Sequence, residues 1–398
     1  MRSPLDQDQD RSPNPRPLRL GGEVAVGFPH RVWFTRDLLD PANPLLAQAC
    51  AEAVPSEGAF RPRLLPLVDA GLEAAQPGFG SRLAASLAAA APHAEIAAPL
   101  ALPGGEAAKN DPAVLESILE ALARERICRR SGLVVAGGGA VLDVAGYAAA
   151  VFHRGVRLLR IPSTVLAQDD AAMGVKNGVN RHGKKNLLGA FAVPEAVLCD
   201  LSLLRSLTDT AWRAGFSEAV KIAAIRDREL FERLERDAAA VRDRDELAAE
   251  PVIVRSAELH LRHILEGGDP FERGTARPLD FGHWAAHRLE SMTNHRLSHG
   301  DAVAIGVALD STIAADLGLI DAATRDRIIS LLRSLGLPAW HDSLLDTAGL
   351  LAGLEEFREH LGGAASVAMP AGIGAASDLP PPSGEIVAAA VASLQRRG

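Results

Sequence analysis

The chain has little of what marks several common classes of protein. It holds three cysteines, Cys50, Cys128 and Cys199, far apart and in no metal-ligand spacing. That excludes a disulfide framework or a thiolate zinc site and points to reduced thiols in a cytoplasmic protein. No uninterrupted apolar run reaches about 18 residues, so no membrane span is expected. Residues 1–20 carry several Pro, Asp and Arg but no apolar h-region, and read as a disordered tail rather than a secretory signal. No basic stretch offsets the formal net charge of −8, which argues against a nucleic-acid partner. An anionic small molecule remains open, because a local lysine cluster can invert the field inside a cleft. No internal repeat is visible.

What is present is a soluble globular composition, 47% hydrophobic and 23% charged, over 398 residues, enough for two domains with separate cores. A run from Glu23 to Thr35 suggests an opening strand or strand pair, and Ala84 to Ala91 an alanine-rich helix stopped by Pro92. The spacing of Val114, Ile118, Leu119, Leu122 and Ile127 predicts a helix over Ala113–Cys128, started by Asp111-Pro112. Strands are expected at Leu133 and over Val156–Ile161, flanking a helix, and this alternation marks a parallel α/β sheet. Past about residue 205 the pattern becomes helical, with helices expected over Glu218–Asp237, Val252–Glu266, His283–Met292, Ala302–Leu317 and Ala323–Leu335. The expected organisation is therefore a Rossmann-like α/β domain over 21–205 and an all-α domain over 206–398. The glycines and prolines from Gly362 to Gly384 predict a looped or short-stranded return before a last helix.

Three patterns carry chemistry. Gly137-Gly138-Gly139 follows the apolar run Leu133-Val134-Val135-Ala136 and leads into a small-residue helix containing Asp143, an order that lets bare backbone approach a pyrophosphate at a helix N-terminus. Alone, such a turn is a weak signal. His283 and His287, four apart, share one helix face; with His299 before a glycine and Glu218 in Gly215-Phe216-Ser217-Glu218, they suit a catalytic zinc of two imidazoles and one carboxylate, although such histidine pairs are often ordinary surface residues. Lys176, Lys184 and Lys185 crowd a Gly- and Asn-rich segment that makes either an anion cradle or a solvated basic loop.

Together with Pro162-Ser163-Thr164 through Asp169-Asp170, Lys176-Asn177-Gly178 and Gly183-Lys184-Lys185-Asn186, these patterns resemble the dehydroquinate synthase group of sugar phosphate cyclases, over about Glu23 to Gly374. The resemblance implies that Glu218, His283 and His299 are the zinc ligands and His287 an acid/base neighbour rather than a ligand. It implies NAD held by Gly137, Gly138, Gly139, Asp143, Ser163 and Thr164, and by Glu106 and Lys109 of Gly105-Glu106-Ala107-Ala108-Lys109. Asp170, Lys176, Asn186 and Lys221 match substrate-contacting positions, and Lys185 a further lysine of the same loop. Arg154 matches an arginine that reaches the phosphate site of the neighbouring subunit, which implies a homodimer. Asp37 or Asn43 is a loose match for a contact to the adenosine ribose.

The chain departs from dehydroquinate synthase where that family holds a substrate carboxylate. A family lysine falls at Arg262, beside His263, while an aspartate is kept as Asp269. A family arginine falls at Ala276, an asparagine at Asp280, and the C-terminal Asp-Lys-Lys motif is replaced by Phe357-Arg358-Glu359-His360. Asp280 would repel an anion and suits a hydroxyl. Sedoheptulose 7-phosphate cyclases share that aspartate but commonly carry proline at the position of His287. The overall wording is most similar to dehydroquinate synthase-like proteins of the ebo-cluster clade.

The implied activity is an NAD- and zinc-dependent lyase, with cobalt an alternative cation. It would eliminate phosphate from a seven-carbon sugar phosphate by transient oxidation, β-elimination, reduction and aldol closure. Lys176, Asn186, Arg154 and Lys221 would stabilise the leaving phosphate, while Asp170, His287 and Asp280 orient hydroxyls and shuttle protons. The rival readings are a metal-dependent polyol dehydrogenase of the same architecture and a non-catalytic ligand-binding relative.

Overall fold

The computed structural model describes Gly22 and residues 24–55, 58–271, 278–361 and 366–397, with the side chains of 278 and 357–361 excepted. The expected tail over 1–20, Ala276 and the side chains of Phe357 to His360 lie outside the described residues. Seven parallel strands build one sheet: β1 (Val32–Thr35), β2 (Arg63–Asp69), β3 (Glu95–Ile96), β4 (Leu100–Leu102), β5 (Gly132–Gly137), β6 (Arg157–Pro162) and, after the β7–β8 hairpin described below, β9 (Ala196–Asp200). Their order is β1-β9-β6-β5-β2-β3, with β4 also pairing with β2. The opening strand is shorter than the sequence pattern suggests, because Val24 to Arg31 find no partner strand among the described residues.

The central strands are apolar on both faces, as a sheet covered by helices on each side requires. Leu133 and Val135 of β5 face one core, with α5 (Pro112–Arg124) and α6 (Gly139–Val151). Val134 and Ala136 face the other, with α1 (Leu45–Ala53) and α3 (Phe79–Ala90). Short helices α2 (Ala70–Ala75) and α4 (Ala107–Asn110) follow β2 and β4.

The lysine-rich segment is neither helix nor open loop. It forms an antiparallel hairpin, β7 (Lys176–Arg181) and β8 (Lys184–Phe191), lying against α6. Arg160, fully buried in β6, holds the segment leading into it, donating to the carbonyls of Ala172 (3.1 Å) and Gly174 (2.8 Å) and to Asn177 Oδ1 (2.6 Å).

From Asp209 the chain is mostly helical: α7 (Asp209–Arg226), α8 (Arg228–Arg242), α9 (Glu246–Glu266), α10 (His283–Met292), α11 (His299–Asp316), α12 (Ala322–Ser334), α13 (Thr347–Leu361) and α14 (Gly384–Gln395). One helix expected over Glu218–Asp237 is two, because Asp227 leaves helical geometry and its side chain caps α8 at Leu230 N–H (3.0 Å). Helix α9 starts before Pro251, near its first turns, where the missing N–H is less costly than mid-helix. This half is not purely α: β10 (Val367–Pro370) and β11 (Ala376–Leu379) form a hairpin before α14. No helix among the described residues is long and apolar enough to cross a membrane.

Two glycine contacts set the geometry of this half. A Cβ on Gly300 would lie 2.1 Å from Ala214 O, so the start of α11 touches the backbone of α7. Gly282, at φ +79, turns the chain into α10 and packs against Gly306 of α11. Gly300→Ala should therefore destabilise the protein by about 2 kcal/mol. The check is the urea unfolding midpoint; an unchanged midpoint would mean that α7 and α11 do not meet backbone to backbone.

Candidate active site

Glu218 lies mid-way along α7, and His283 and His299 are the first residues of α10 and α11. The two close helix approaches bring them together. Glu218 Oε1 is 3.5 Å from Nε2 of both histidines, and one donor atom from each of the three lies within 4.8 Å of the others. Both Nδ1 atoms are engaged away from the cluster, His283 with Phe281 O (3.2 Å) and His299 with Glu290 Oε2 (3.1 Å). Those acceptors take up the Nδ1 sides, so the Nε2 atoms are the ones that face Glu218, the arrangement that metal-ligating histidines use.

The carboxylate is 1% exposed, and neither oxygen has a properly aligned hydrogen bond, although Lys221 Nζ stands 2.5 Å from Oε2. Burial would push the Glu218 carboxyl up, yet Lys221 and His283 hold it well below the usual range. Burial would lower His299, but Glu290 and Glu218 raise it to about 9. The cluster therefore calls for positive charge. An orphaned buried carboxylate with two converging imidazole nitrogens fits a divalent cation with an open position. His287, Glu290 and His299 form an alternative set of donors. Glu290 is already bound by Lys185 Nζ, 2.8 Å from both oxygens, so the Glu218 set fits better. His287, one turn after His283, is held well below the usual histidine range by burial and by Lys185 and His283.

Asp310, buried in α11, fixes the neighbours of His283, accepting from Gly282 N–H (2.8 Å) and Trp284 Nε1 (2.9 Å). Burial raises its carboxyl to about 7 against these two bonds.

On the sheet side, β5 ends at Gly137 and α6 begins at Gly139. The N-cap, Gly138, supplies no side chain to the first turn of α6, whereas Asp111 and Asp227 cap α5 and α8. A bare helix start next to a glycine turn fits a pyrophosphate. Ser163 is buried with its N–H on Gly137 O (3.0 Å), and Thr164 Oγ1 accepts Ala167 N–H (3.1 Å). Lys109, almost fully buried, pairs with Asp143 Oδ2 (2.5 Å) and donates to Asn186 Oδ1. Glu106 Oε1 accepts from Asn180 Nδ2 (2.7 Å), and Asn180 Oδ1 accepts Asn186 N–H (2.8 Å). Glu106, Lys109, Asp143, Lys185 and Asn186 thus gather along the β7–β8 hairpin. Lys176 is exposed at the start of β7, opposite Phe191.

Asp170 sits in a π-turn (Ala167–Ala171), with Oδ1 2.7 Å from His260 Nδ1. Lys221, 2% exposed, stays protonated: burial lowers it, but Glu218, Asp170 and Asp280 raise it. Arg154 stands apart, exposed beyond the C-terminal end of α6, about 20 Å along the helix from the glycine turn.

The structure places Arg262, one of the altered positions, and corrects the two loose matches Asp37 and Asn43. Arg262 is half exposed and pairs with Glu258 (2.7 Å), so it turns away; the residue of α9 that meets Asp170 is His260. Asp37 and Asn43 follow β1, three strands from β5, and Asn43 Nδ2 is used by Thr35 Oγ1 (2.8 Å) and Arg36 O (2.9 Å). The acid beside the glycine turn is Asp69, at the end of β2, which accepts from Gly138 N–H (3.3 Å) and Gly71 N–H (2.8 Å). Besides His260 and Asp69, the sequence reading missed Asn180, Glu290 and Asp310. Glu290 had a signal: it shares a face of α10 with His283 and His287 at helical spacing.

The sequence matches the family described as 3-dehydroquinate synthase N-terminal over residues 99–214 and 3-dehydroquinate synthase C-terminal over 215–356. It is 40% identical over 245 residues to a 3-dehydroquinate synthase of Paracoccus denitrificans, covering 60% of this chain and 65% of that protein. With one from Cereibacter sphaeroides it shares 37% identity over 295 residues, 74% of this chain and 76% of that protein. In solved structures, 2-epi-5-epi-valiolone synthase of Streptomyces hygroscopicus, with NAD+ and Zn2+ bound, superposes with a TM-score of 0.84 at 28% identity, covering 96% of this chain and 100% of that one. A probable glycerol dehydrogenase of Sinorhizobium meliloti shares the fold alone, with a TM-score of 0.62 at 16% identity, covering 94% and 98%.

Two outcomes follow from this geometry. Asp143→Ala should destabilise the cofactor-free protein by about 3 kcal/mol in chemical denaturation, because Lys109 is left charged and buried; Lys109→Met with Asp143→Leu should recover most of the loss. Asp310 sets a pH trend. Its folded value, about 7, exceeds the unfolded one, so the folded state keeps the proton longer and stability declines from about pH 4 to about pH 7. Asp310→Asn should flatten that decline in melts across the window; a parallel curve for the variant would show that Asp310 does not titrate there.

Proposed function

This chain belongs to the 3-dehydroquinate synthase family of sugar phosphate cyclases, and we propose that it eliminates phosphate from a seven-carbon sugar phosphate and closes a carbocycle, as a carbon–oxygen lyase using NAD and zinc or cobalt. The observation that carries the reading is the orphaned, buried Glu218 carboxylate facing two imidazole nitrogens. The bare glycine turn at the start of α6 lies in the same chain, and Lys185 of the intervening hairpin reaches Glu290, the partner of His299.

In this reading Glu218, His283 and His299 hold the cation. Gly137, Gly138, Gly139, Asp143, Ser163, Thr164, Glu106, Lys109 and Lys185 line the nucleotide, with Asp69 beside the turn. A cation held there would supply Lewis-acid polarisation of a substrate alcohol, and bound NAD a reversible hydride acceptor. Lys221 contributes a fixed positive charge in a dry setting, where it acts most strongly on developing negative charge. Lys176 and Asn186 offer an ammonium and an amide to the leaving phosphate. His287, kept neutral by burial, is suited to take a proton and give it back. Asp170 and Asp280 orient hydroxyls. Arg154, remote from its own site, is proposed to serve the phosphate site of a second copy, making the working unit a homodimer. The halves 21–205 and 206–398 are read as the cofactor and metal domains, and the three unpaired cysteines agree with a cytoplasmic location.

The decisive assay incubates zinc-loaded protein with NAD and heptulose or heptulosonate phosphates, following inorganic phosphate and net NADH. Phosphate without NADH is expected. Net NADH would instead mark a polyol dehydrogenase, and neither product a binding relative. Glu218→Ala should lose both metal and turnover, measured by metal analysis and phosphate release; normal turnover would remove Glu218 from the ligand set. Mixing inactive Arg154→Ala and Glu218→Ala chains should restore about a quarter of the wild-type sites if the arginine acts across a two-fold interface. No recovery after verified subunit exchange would rule that role out.

A further inference from the structure

The pairing of Asp170 with His260 serves no purpose assigned so far. Helix α9 packs against both the π-turn of Asp170 and helix α7, and Asp170 is close enough to Lys221 to raise it. His260 Nδ1 lies 2.7 Å from Asp170 Oδ1, and the two side chains are 15% and 16% exposed. Burial would raise Asp170, but His260 and Lys221 outweigh it and hold the carboxyl below its ordinary value, so it accepts and Nδ1 carries the hydrogen. With Nδ1 turned to Asp170, Nε2 is the ring nitrogen left for another partner. Among the described residues Nε2 makes no hydrogen bond, and the ring is not sealed from solvent.

The charges around this ring matter as much as its tautomer. Lys221 is 2.5 Å from Glu218 and is also stabilised by Asp170 and Asp280, so its field is shared among three carboxylates. Arg262, two residues after His260, is bound to Glu258 and Glu266 on the outer side of α9. A substrate carboxylate here would meet the negative charge of Asp170 and Asp280. A hydroxyl, donor and acceptor at once, can bond Nε2 whichever way the ring is protonated.

We propose that His260, oriented by Asp170, contacts the substrate directly through Nε2 and hydrogen-bonds a sugar hydroxyl, so that the site selects a neutral ketose phosphate over its carboxylated counterpart. The proposal rests on the cyclase reading and sharpens it by naming the substrate class. It also makes His260, rather than Arg262, the residue of α9 that serves this part of the site. Sites built to bond a hydroxyl discriminate strongly against analogues that cannot donate there.

The test uses the NAD- and zinc-loaded protein with two substrates, a ketoheptose 7-phosphate and the matching ketoheptulosonate 7-phosphate, and reads kcat and KM for phosphate release. The wild type should favour the neutral sugar by at least tenfold in kcat/KM. His260→Gln should raise KM for that sugar by tenfold or more with metal content and Tm unchanged. His260→Lys should shift the ratio of the two substrates toward the carboxylated one by at least tenfold. A wild type that prefers the carboxylated sugar overturns the proposal, as does a folded lysine variant with the wild-type ratio. If the lysine variant fails to fold, an unchanged KM in His260→Gln overturns it. Phosphate release from neither sugar by the wild type would strike the cyclase reading itself. Equilibrium binding of the same two sugars to wild type and variants then decides the role of His260, with the same change of ratio expected.

Discussion

The Glu218 carboxylate is sealed inside helix α7 without an aligned hydrogen bond to either oxygen, and much of the surrounding architecture answers that one charge. An isolated ionised carboxylate in a protein interior is costly, so positive or polarisable groups must converge on it. Lys221 comes from the same helix one turn on; His283 and His299 arrive at the starts of two other helices. Their arrival depends on missing side chains. Gly300 lets α11 touch α7, and Gly282 lets α10 turn in beneath Gly306. Asp310 then pins the residues on either side of His283, so the ring is held by its backbone neighbours as well as by its own bond to Phe281 O.

A second set of charges links this centre to the sheet domain. Lys109 is paired with Asp143 and touches Asn186, Asn180 bridges Glu106 to the Asn186 backbone, and Lys185 reaches across to Glu290, which orients His299. The β7–β8 hairpin thus ties the glycine turn to the Glu218, His283, His299 cluster through polar contacts, each buried or half-buried. Such contacts gain strength from low dielectric and lose it when one partner is removed. The hairpin is therefore a structural bridge between the two halves as well as a source of lysines.

The Glu218, His283, His299 cluster lies beside Lys221, and a second group of charges faces that lysine. Asp280 and the Asp170–His260 pair stand there, and Arg262 faces outward. In the proposed reading this combination would separate the groups that serve hydride and phosphate chemistry from the one that reads the remaining substituents. The separation is physical: the Glu218, His283, His299 cluster is fixed by helix-to-helix contact, whereas His260 sits on a helix surface where one position can change without moving the backbone.

Local features of the sequence determined a good deal. Apolar runs such as Leu133 to Ala136 specify buried strands, the Val114 to Leu122 spacing specifies α5, and the residues of the Gly137 turn, the lysine segment and Glu218, His283 and His299 were legible because each pattern is short and contiguous. Tertiary structure alone decided the pairings. Whether His260 or Arg262 of α9 meets Asp170 depends on which side of the helix packs against the π-turn, and a two-residue step rotates a side chain by roughly 200°. Asp69 lies far from Gly138 in the chain yet joins it, because β2 and β5 are neighbours in the sheet. Asp310 reaches Gly282 only through helix packing, and Arg154 is set apart from its own site by the length of α6. Short-range patterning names the groups capable of chemistry; the packing of helices and strands determines which of them share a field.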